Sequence, residues 1–184
     1  MIIKIDVDGV IRDIVKPICD IYNNNFFENV KPEEIVDYNI NNEFPLIEEL
    51  MHKKPTEYFF IERGRDVFRY LATTFNGVIE AINLLKEHGH KIVICTWQLN
   101  NDNIINTVNF LNDWKVPFDD LCFTRDKHIV NGDFIIDDNP EFLDHCDESG
   151  AKIIIDQPYN RYYNPNGVKR CKSLLEAAKY IIEQ

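Results

Sequence analysis

The chain has 184 residues, of which 45% are hydrophobic and 28% charged, with a formal net charge of −11 and an isoelectric point of about 4.9. This composition is ordinary for a globular protein, and the length suits one main domain with an inserted subdomain. The acidic balance argues against a nucleic-acid polymer or an anionic membrane as the main partner, because both require a basic surface, but it allows a small anionic substrate that a metal and a few cations neutralise.

The first predicted element is a short strand that ends in two aspartates and a glycine (IIKIDVDGV, residues 2–10). Its β-branched residues indicate a buried parallel strand, and the Asp-Gly pair indicates a tight turn. Because side chains alternate along a strand, Asp6 and Asp8 point to one side, where open α/β sheets bind ligands. One carboxylate could attack an electrophile and hold a metal while the other moves a proton. The alternative is a turn in which Asp8 only bonds its own backbone.

The next sixty residues predict helices. Four helical stretches are expected: Ile11 to about Phe27, a start at Lys31–Glu34, Pro45–His52, and around Asp66–Thr74. No convincing buried strand falls between about residues 14 and 75. We therefore expect this segment to be a small helical cap inserted after the first strand.

Helical and strand patterns alternate from Asn76 onward. The predicted strands are Lys91–Thr96, Leu121–Phe123, Phe134–Asp138 and Lys152–Asp156, and the predicted helices begin at Asn76, at about Asp102 and after Ser173. Such alternation implies a parallel sheet covered on both faces. We predict an α/β fold, a three-layer, doubly wound (Rossmann-like) parallel sheet, with the core at residues 1–13 and 76–184 and the helical cap at residues 14–75.

Reactive side chains fall at or just beyond the carboxyl ends of four predicted strands: Asp6 and Asp8, Thr96, Lys127, and the pair Asp137 and Asp138. Parallel strands end at one edge of a sheet, so these side chains can converge. Three or four carboxylates would attract a divalent cation such as Mg²⁺, and a lysine and a hydroxyl would complete a phosphate site. A different acidic motif beginning at Asp133 is rejected, because Phe134 then starts the strand and Asp133 falls at its opposite end. A Walker-type glycine-rich loop is missing from the sequence, which excludes a P-loop nucleotide cradle.

These positions resemble the four motifs of the haloacid dehalogenase (HAD) superfamily of phosphatases. The motifs occur in order as residues 6–10 (DVDGV), residues 94–96 (ICT), Lys127 and residues 136–138 (IDD). More narrowly, residues 124–130 (TRDKHIV) followed by residues 133–140 (DFIIDDNP) look like the 5′(3′)-deoxyribonucleotidase family, as does the aromatic segment at residues 59–62 (FFIE).

The resemblance implies Mg²⁺-dependent hydrolysis of a (deoxy)nucleoside monophosphate through an aspartyl-phosphate. It implies that Asp6 is the nucleophile and Asp8 the general acid and base. It also assigns the remaining site residues: Asp6, the backbone carbonyl of Asp8 and Asp138 as metal ligands with Asp137 beside them, Thr96, Trp97 and Lys127 at the phosphate, and Phe59 and Phe60 at the substrate. The alternative for Phe59 and Phe60 is a place in the core of the cap.

Two features depart from the family pattern. Trp97 and Gln98 stand where typical nucleotidases have a small hydroxyl residue and proline, and residues 62–75 form a longer segment than expected. Both concern substrate recognition, so a sugar phosphate or another small phosphomonoester remains an alternative substrate, and a non-catalytic binding protein of the same fold is a third reading.

The remaining expectations concern the cell and the partners. The N-terminal apolar run lacks a signal-peptide layout and apolar stretches are too short for a membrane span, so we expect a cytoplasmic protein. Five cysteines, an odd number without paired spacing, indicate free thiols. The expected partner is a small phosphomonoester, with neither a nucleic-acid polymer nor a membrane, and a homodimer is one of the oligomeric states left open.

Overall fold

The computed structural model describes residues 1–144, 150–163 and 167–184. The strands in these ranges are β1 (Ile2–Ile5), β2 (Arg12–Asp13), β3 (Thr73–Thr74), β4 (Lys91–Thr96), β5 (Asp120–Phe123), β6 (Phe134–Asp137), β7 (Ala151–Ile155) and β8 (Val168–Cys171). The α-helices there are α1 (Val15–Phe26), α2 (Pro45–Met51), α3 (Pro55–Glu57), α4 (Val78–Glu87), α5 (Asn101–Asp113), α6 (Pro140–Asp144) and α7 (Leu174–Ile182). Short 3₁₀ turns occur at Pro32–Glu34, Ile40–Asn42, Lys127–Ile129 and Pro158–Asn160, and π-helical turns at Tyr58–Glu62 and Asp66–Tyr70.

Six strands form one parallel sheet in the order β5-β4-β1-β6-β7-β8. β1 lies inside the sheet between β4 and β6, and Ile3 and Ile5 on one of its faces are completely buried. The chain runs outward from β1 through β4 to β5 and then returns to β6, on the other side of β1. This reversal creates a crevice at the carboxyl ends of β1 and β6, which is where such sheets bind ligands.

Helices cover both faces of the sheet. Ile136 of β6 belongs to the large apolar cluster that includes α4, α5 and α7, whereas its neighbour Ile135 packs with Leu143 of α6. Adjacent residues of a strand point to opposite faces, so these two clusters lie on opposite sides. The prediction of an α/β fold with a three-layer parallel sheet is confirmed.

The segment predicted to be a cap has an apolar cluster of its own. Its buried members are Ile18, Cys19, Ile21, Tyr22, Ile35, Phe44, Ile47, Tyr58, Phe59, Val67 and Phe68. They come from α1, α2, the segment between these helices and the helical turns after α2. The antiparallel pair of β2 and β3, with Arg12 opposite Thr74, connects this segment to the sheet.

Two predicted helix boundaries at this junction are wrong. The first helix begins at Val15 rather than at Ile11, and the helix expected over Asp66–Thr74 ends at Tyr70. Both differences have one cause, because the flanking residues pair with each other as β2 and β3. Strands of two residues are too short to show a hydrophobic period.

The sheet also contains one strand that the sequence did not predict. β8 is an edge strand whose residues are mostly half-buried or exposed, and its sequence, VKRC, has no apolar run.

Cys19, Cys95, Cys122 and Cys171 are free thiols, and Cys146 lies outside the described residues. Among the helices of the described ranges, none has the length and apolar character needed to cross a membrane.

Candidate active site

The turn after β1 brings the two aspartates to the crevice. Asp6 extends the parallel pairing, since its amide donates to the carbonyl of Ile136 at 3.0 Å. The chain then reverses, and the amide of Arg12 donates to the carbonyl of Val7 at 2.8 Å. Gly9 in this turn has a φ of +77°, a backbone conformation that glycine adopts without strain.

Gly9 also allows a close approach by the acidic pair after β6. A Cβ placed on Gly9 would lie 2.1 Å from Asp138 Oδ2 and 2.6 Å from the hydroxyl of Tyr159. Both distances are shorter than real carbon contacts. Any side chain at residue 9 would therefore displace Asp138 or the turn itself.

Three buried carboxylates meet in the crevice. Asp6, Asp137 and Asp138 each offer an oxygen, and these oxygens lie within 4.8 Å of one another. Lys127 Nζ lies 2.9 Å from Asp6 Oδ1 and 2.7 Å from Asp137 Oδ2. Burial raises the pKa of Asp6 to about 7 despite this ammonium, and burial also raises the pKa of Asp138 well above its ordinary value. The three acids therefore carry more potential negative charge than Lys127 balances.

The two aspartates after β6 have different partners. Asp137 accepts hydrogen bonds on both oxygens, from Lys127 Nζ at 2.7 Å and from the amide of Asn139 at 2.9 Å. Asp138 accepts one on Oδ2 from the hydroxyl of Tyr159 at 2.5 Å. The two carboxylates are therefore not equivalent.

Asp133 lies at the other end of the sheet, as predicted. Its Oδ2 accepts a hydrogen bond from the amide of Ile2 at 2.6 Å, and its own amide donates to the carbonyl of Ile2. It therefore takes no part in the acidic set.

The acidic set has the chemistry of a divalent-cation site. Asp6 Oδ1 is buried and has no aligned hydrogen-bond donor among the described residues, although Lys127 Nζ lies at ion-pair distance. A buried anionic oxygen without a hydrogen bond is unfavourable unless another ligand compensates it. Carboxylate oxygens are the donors that hard divalent cations prefer. The residues present therefore fit a metal ion.

Asp8 is held on both of its oxygens. Arg12 Nε donates to Asp8 Oδ1 at 2.7 Å, and Gln98 Nε2 donates to Asp8 Oδ2 at 2.8 Å. Arg12 is completely buried and Gln98 nearly so, whereas the Asp8 side chain is 21% exposed. Neither donor was predicted from the sequence to bond Asp8. The position of Gln98 could have indicated a place in the site, because it closely follows Thr96 at the carboxyl end of β4.

The predicted phosphate-site residues line one cavity together with Asp6. Thr96, Trp97 and Lys127 all border it. Thr96 is buried, and its carbonyl accepts a hydrogen bond from the amide of Thr124, which links the loops after β4 and β5. Trp97 is 45% exposed.

The turn that carries Lys127 is fixed by a buried lysine of β1. Lys4 is 2% exposed, and its ammonium donates to the carbonyls of Lys127 at 3.0 Å and Val130 at 2.8 Å. A lysine within a buried strand is unusual. Here its charged end fixes the backbone of the turn, so that the side chain of Lys127 reaches Asp6.

The cavity lies between the cap segment and the sheet edge and has a volume of about 710 Å³. Phe60 lines it, whereas its neighbour Phe59 is completely buried in the cap cluster and does not. Tyr38 of the cap segment meets Tyr159 edge to face, with ring centroids 5.7 Å apart. Tyr159 was not predicted as a site residue, although it follows the end of β7 and so had the same positional signal as the predicted residues.

Comparison with known proteins agrees with this geometry. The family described as 5′ nucleotidase, deoxy (pyrimidine), cytosolic type C matches residues 1–184. Two curated relatives are each named "Putative 5′(3′)-deoxyribonucleotidase". The one from Bordetella pertussis is 29% identical over 168 residues, covering 88% of this chain and 86% of the relative, and the one from Chlorobaculum tepidum is 27% identical over 155 residues, covering 77% and 71%.

A solved structure from Clostridium acetobutylicum, described as a "predicted phosphatase", has the same fold. It is 16% identical, the alignment covers 100% of this chain and 98% of that one, and the TM-score is 0.63. The fold, the carboxylates at the strand ends and the match over the whole length all agree with the resemblance seen in the sequence. The chain belongs to the cytosolic type C 5′ nucleotidase family, and it is a phosphatase of the nucleotidase type.

Proposed function

We propose that this protein is a Mg²⁺-dependent phosphatase that hydrolyses a deoxyribonucleoside monophosphate through an aspartyl-phosphate on Asp6. One observation carries the proposal: Lys127 lies 2.9 Å from Asp6, among three buried carboxylates of which two, Asp6 and Asp138, border a cavity of about 710 Å³. This volume is typical of sites for small organic molecules. The family match and the names of both curated relatives support the same substrate class.

In the first step, an oxygen of Asp6 attacks phosphorus and the bond to the leaving ester oxygen breaks. Asp8 donates a proton to that oxygen, so the nucleoside leaves as an alcohol. The attacking carboxylate and the phosphate are both anionic. The ammonium of Lys127 reduces their repulsion.

In the second step, Asp8 acts as a base. It takes a proton from a water molecule that attacks the phosphorus, and the bond between phosphorus and Asp6 breaks. Inorganic phosphate leaves, and both aspartates return to their starting states. Thr96 and Lys127 hold the phosphoryl oxygens throughout, and Trp97 borders the same site.

The ligands proposed for Mg²⁺ are Asp6, the backbone carbonyl of Asp8, and Asp138. Asp138 is preferred to Asp137 because both oxygens of Asp137 already accept hydrogen bonds from protein donors. When bound, the ion supplies positive charge that favours the ionised form of Asp6 and attracts the phosphoryl oxygens.

We place substrate recognition in the cap, residues 14–75, and in the loop after Thr96. The residues at the sheet edge contact only phosphate and metal, so they cannot distinguish one base or sugar from another. Phe60 and Trp97 present aromatic rings to the cavity, and Asp37 presents a polar group. Aromatic rings suit the flat face of a nucleobase, and polar groups can select among bases.

A screen of phosphate release tests the proposal. Purified protein is incubated with deoxyribonucleotides, ribonucleotides, sugar phosphates and an aryl phosphate, with Mg²⁺ or with EDTA, and the variant Asp6→Asn is the control for contaminating phosphatases. We expect Mg²⁺-dependent release that is fastest from deoxyribonucleoside monophosphates. Fast hydrolysis of sugar phosphates without hydrolysis of nucleotides would refute the nucleotide assignment and leave the phosphatase assignment intact.

A further inference from the structure

Arg12 is a completely buried cation at the junction of the sheet and the cap segment. Its guanidinium donates three hydrogen bonds to three different parts of the chain: Nε to Asp8 Oδ1 at 2.7 Å, one terminal nitrogen to the carbonyl of Phe68 at 2.7 Å, and the other to Thr107 Oγ1 at 3.0 Å. Phe68 belongs to the cap segment and Thr107 to α5. These three hydrogen bonds fix the orientation of the planar guanidinium group.

Two aromatic rings also contact the guanidinium group of Arg12. The guanidinium carbon lies 5.0 Å from the ring centroid of Phe68 and 5.0 Å from that of Phe110. A planar, always charged guanidinium suits such a site, whereas an ammonium is a point charge without a plane. The backbone of Arg12 is tied to the same turn as Asp8, because its carbonyl accepts from the amide of Gly9 at 2.9 Å.

We propose that Arg12 is a positioning residue that orients the Asp8 carboxylate for proton transfer. The inference rests on the proposed function, in which Asp8 must reach the leaving oxygen. A carboxylate can rotate about its bond to Cβ. Arg12 holds Oδ1 and Gln98 holds Oδ2, so these two donors from different elements restrict that rotation. A misplacement of about 1 Å in a reacting group can reduce a rate about a hundredfold.

The cap segment takes part in this arrangement. Phe68 lies in the π-helical turn Asp66–Tyr70, where the amide of Leu71 bonds the carbonyl of Asp66. The carbonyl of Phe68 accepts from Arg12 instead. Such turns are frequent at functional sites. The orientation of Asp8 therefore depends on the cap segment occupying the position that it has in this structure.

The variant Arg12→Lys tests the inference, because it keeps the positive charge and loses the planar fork. Phenyl phosphate and p-nitrophenyl phosphate are matched substrates of similar shape, and phenolate is the poorer leaving group, which needs the proton more. Single-turnover release of phenol or p-nitrophenol measures the first step alone, because the second step, in which Asp8 is the base, is the same for both esters. We expect this rate to fall by about thirtyfold or more on phenyl phosphate and by less than about threefold on p-nitrophenyl phosphate.

Two further variants distinguish a positioning role of Arg12 from a purely structural one. Thr107→Val removes one of the three anchors at nearly constant volume, and we expect a smaller change with the same leaving-group dependence. Leu174→Ala in α7 lowers stability far from the site, and we expect an unchanged ratio of the two rates. If the Arg12 and Thr107 variants slow both substrates equally, as a stability loss would, Arg12 only supports the fold and the inference is wrong. If the wild type releases no phosphate from any ester, the proposed function itself fails.

Discussion

The ammonium of Lys127 lies 2.9 Å from Asp6 Oδ1, and the same ammonium bonds Asp137 at 2.7 Å. Asp138 is a third buried acid beside them. One cation therefore serves a site that contains three carboxyl groups. Burial raises the pKa of Asp6 despite this ammonium, with the neighbouring carboxylates adding to the effect, and the remaining negative charge could be balanced by a metal ion.

The first prediction concerns the nucleophile. Asp6→Asn should abolish turnover, because the amide keeps the shape of the carboxylate but cannot form the aspartyl-phosphate. It should not lower the melting temperature, because it removes a buried acid. Initial rates of phosphate release and thermal unfolding would show both effects. A rate within about tenfold of the wild type would contradict the covalent mechanism.

The second prediction concerns stability and pH in the metal-free protein. Burial raises the pKa of Asp6 from 3.8 to about 7, so the native state binds more protons than the unfolded state between these values. The contribution of Asp6 to the free energy of unfolding is therefore greatest below the lower value and should be lost as the pH rises through the upper one. Urea unfolding in EDTA across this range should show a flatter profile for Asp6→Asn than for the wild type, and an unchanged profile would contradict the prediction.

The third prediction separates proton transfer from structure. Asp8→Asn should slow a nucleoside monophosphate far more than p-nitrophenyl phosphate, because the alkoxide needs general-acid help of about 10² to 10⁴ in rate and the activated phenolate needs little. Single-turnover release of the nucleoside or of p-nitrophenol would measure the ratio for the first step alone, because the second step, in which Asp8 is the base, is the same for both esters. Equal losses on the two substrates would assign Asp8 a structural role only.

The fourth prediction concerns the metal. Asp138→Asn should raise the Mg²⁺ concentration for half-maximal activity by about tenfold or more, and it should reduce the rise in melting temperature that Mg²⁺ causes. The amide can still accept the hydrogen bond from Tyr159. Asp133→Asn is the matched control at the opposite end of the sheet. If both variants needed the same extra Mg²⁺, Asp138 would not be a ligand.

The fifth prediction concerns substrate choice. Phe60→Ala and Trp97→Ala should change the ranking of nucleotide substrates while affecting a small aryl phosphate less, since that ester has no nucleobase to stack on these rings. Each lost stacking contact should be worth about 1–3 kcal/mol. Phe59→Ala is the contrast, because it opens a hole in the cap cluster and should cost about 3–5 kcal/mol of stability. Kinetic measurements and melting curves of the three variants would show whether each ring contacts the substrate or stabilises the cap cluster.

The sequence predicted the site best where reactive residues lie at the end of a buried strand. Apolar runs predicted the positions of β1, β4 and β6. Parallel topology then required Asp6, Thr96 and Asp138 to meet at one edge of the sheet. Tyr159 follows the end of β7, but its hydrogen bond to Asp138 could not be predicted in this way, and neither could the bonds of Arg12 to Phe68 and Thr107. These contacts join elements far apart in the chain, and a hydrophobic period carries no information about them.

The aromatic pair in the cap segment shows the same limit. Phe59 and Phe60 are adjacent and chemically identical, but only Phe60 faces the cavity. They lie in a π-helical turn, whose spacing differs from the α-helical period on which a sequence reading relies.

The short pairing of β2 and β3 connects two separately packed apolar clusters, and this has a consequence for amide hydrogen exchange. Amides of β1, inside the six-stranded sheet, should exchange with solvent only when the whole molecule unfolds. Amides of α1 and α2 depend on the smaller cluster, so a partial opening should expose them sooner. Such an opening would admit a substrate while the carboxylates that act on it remain assembled.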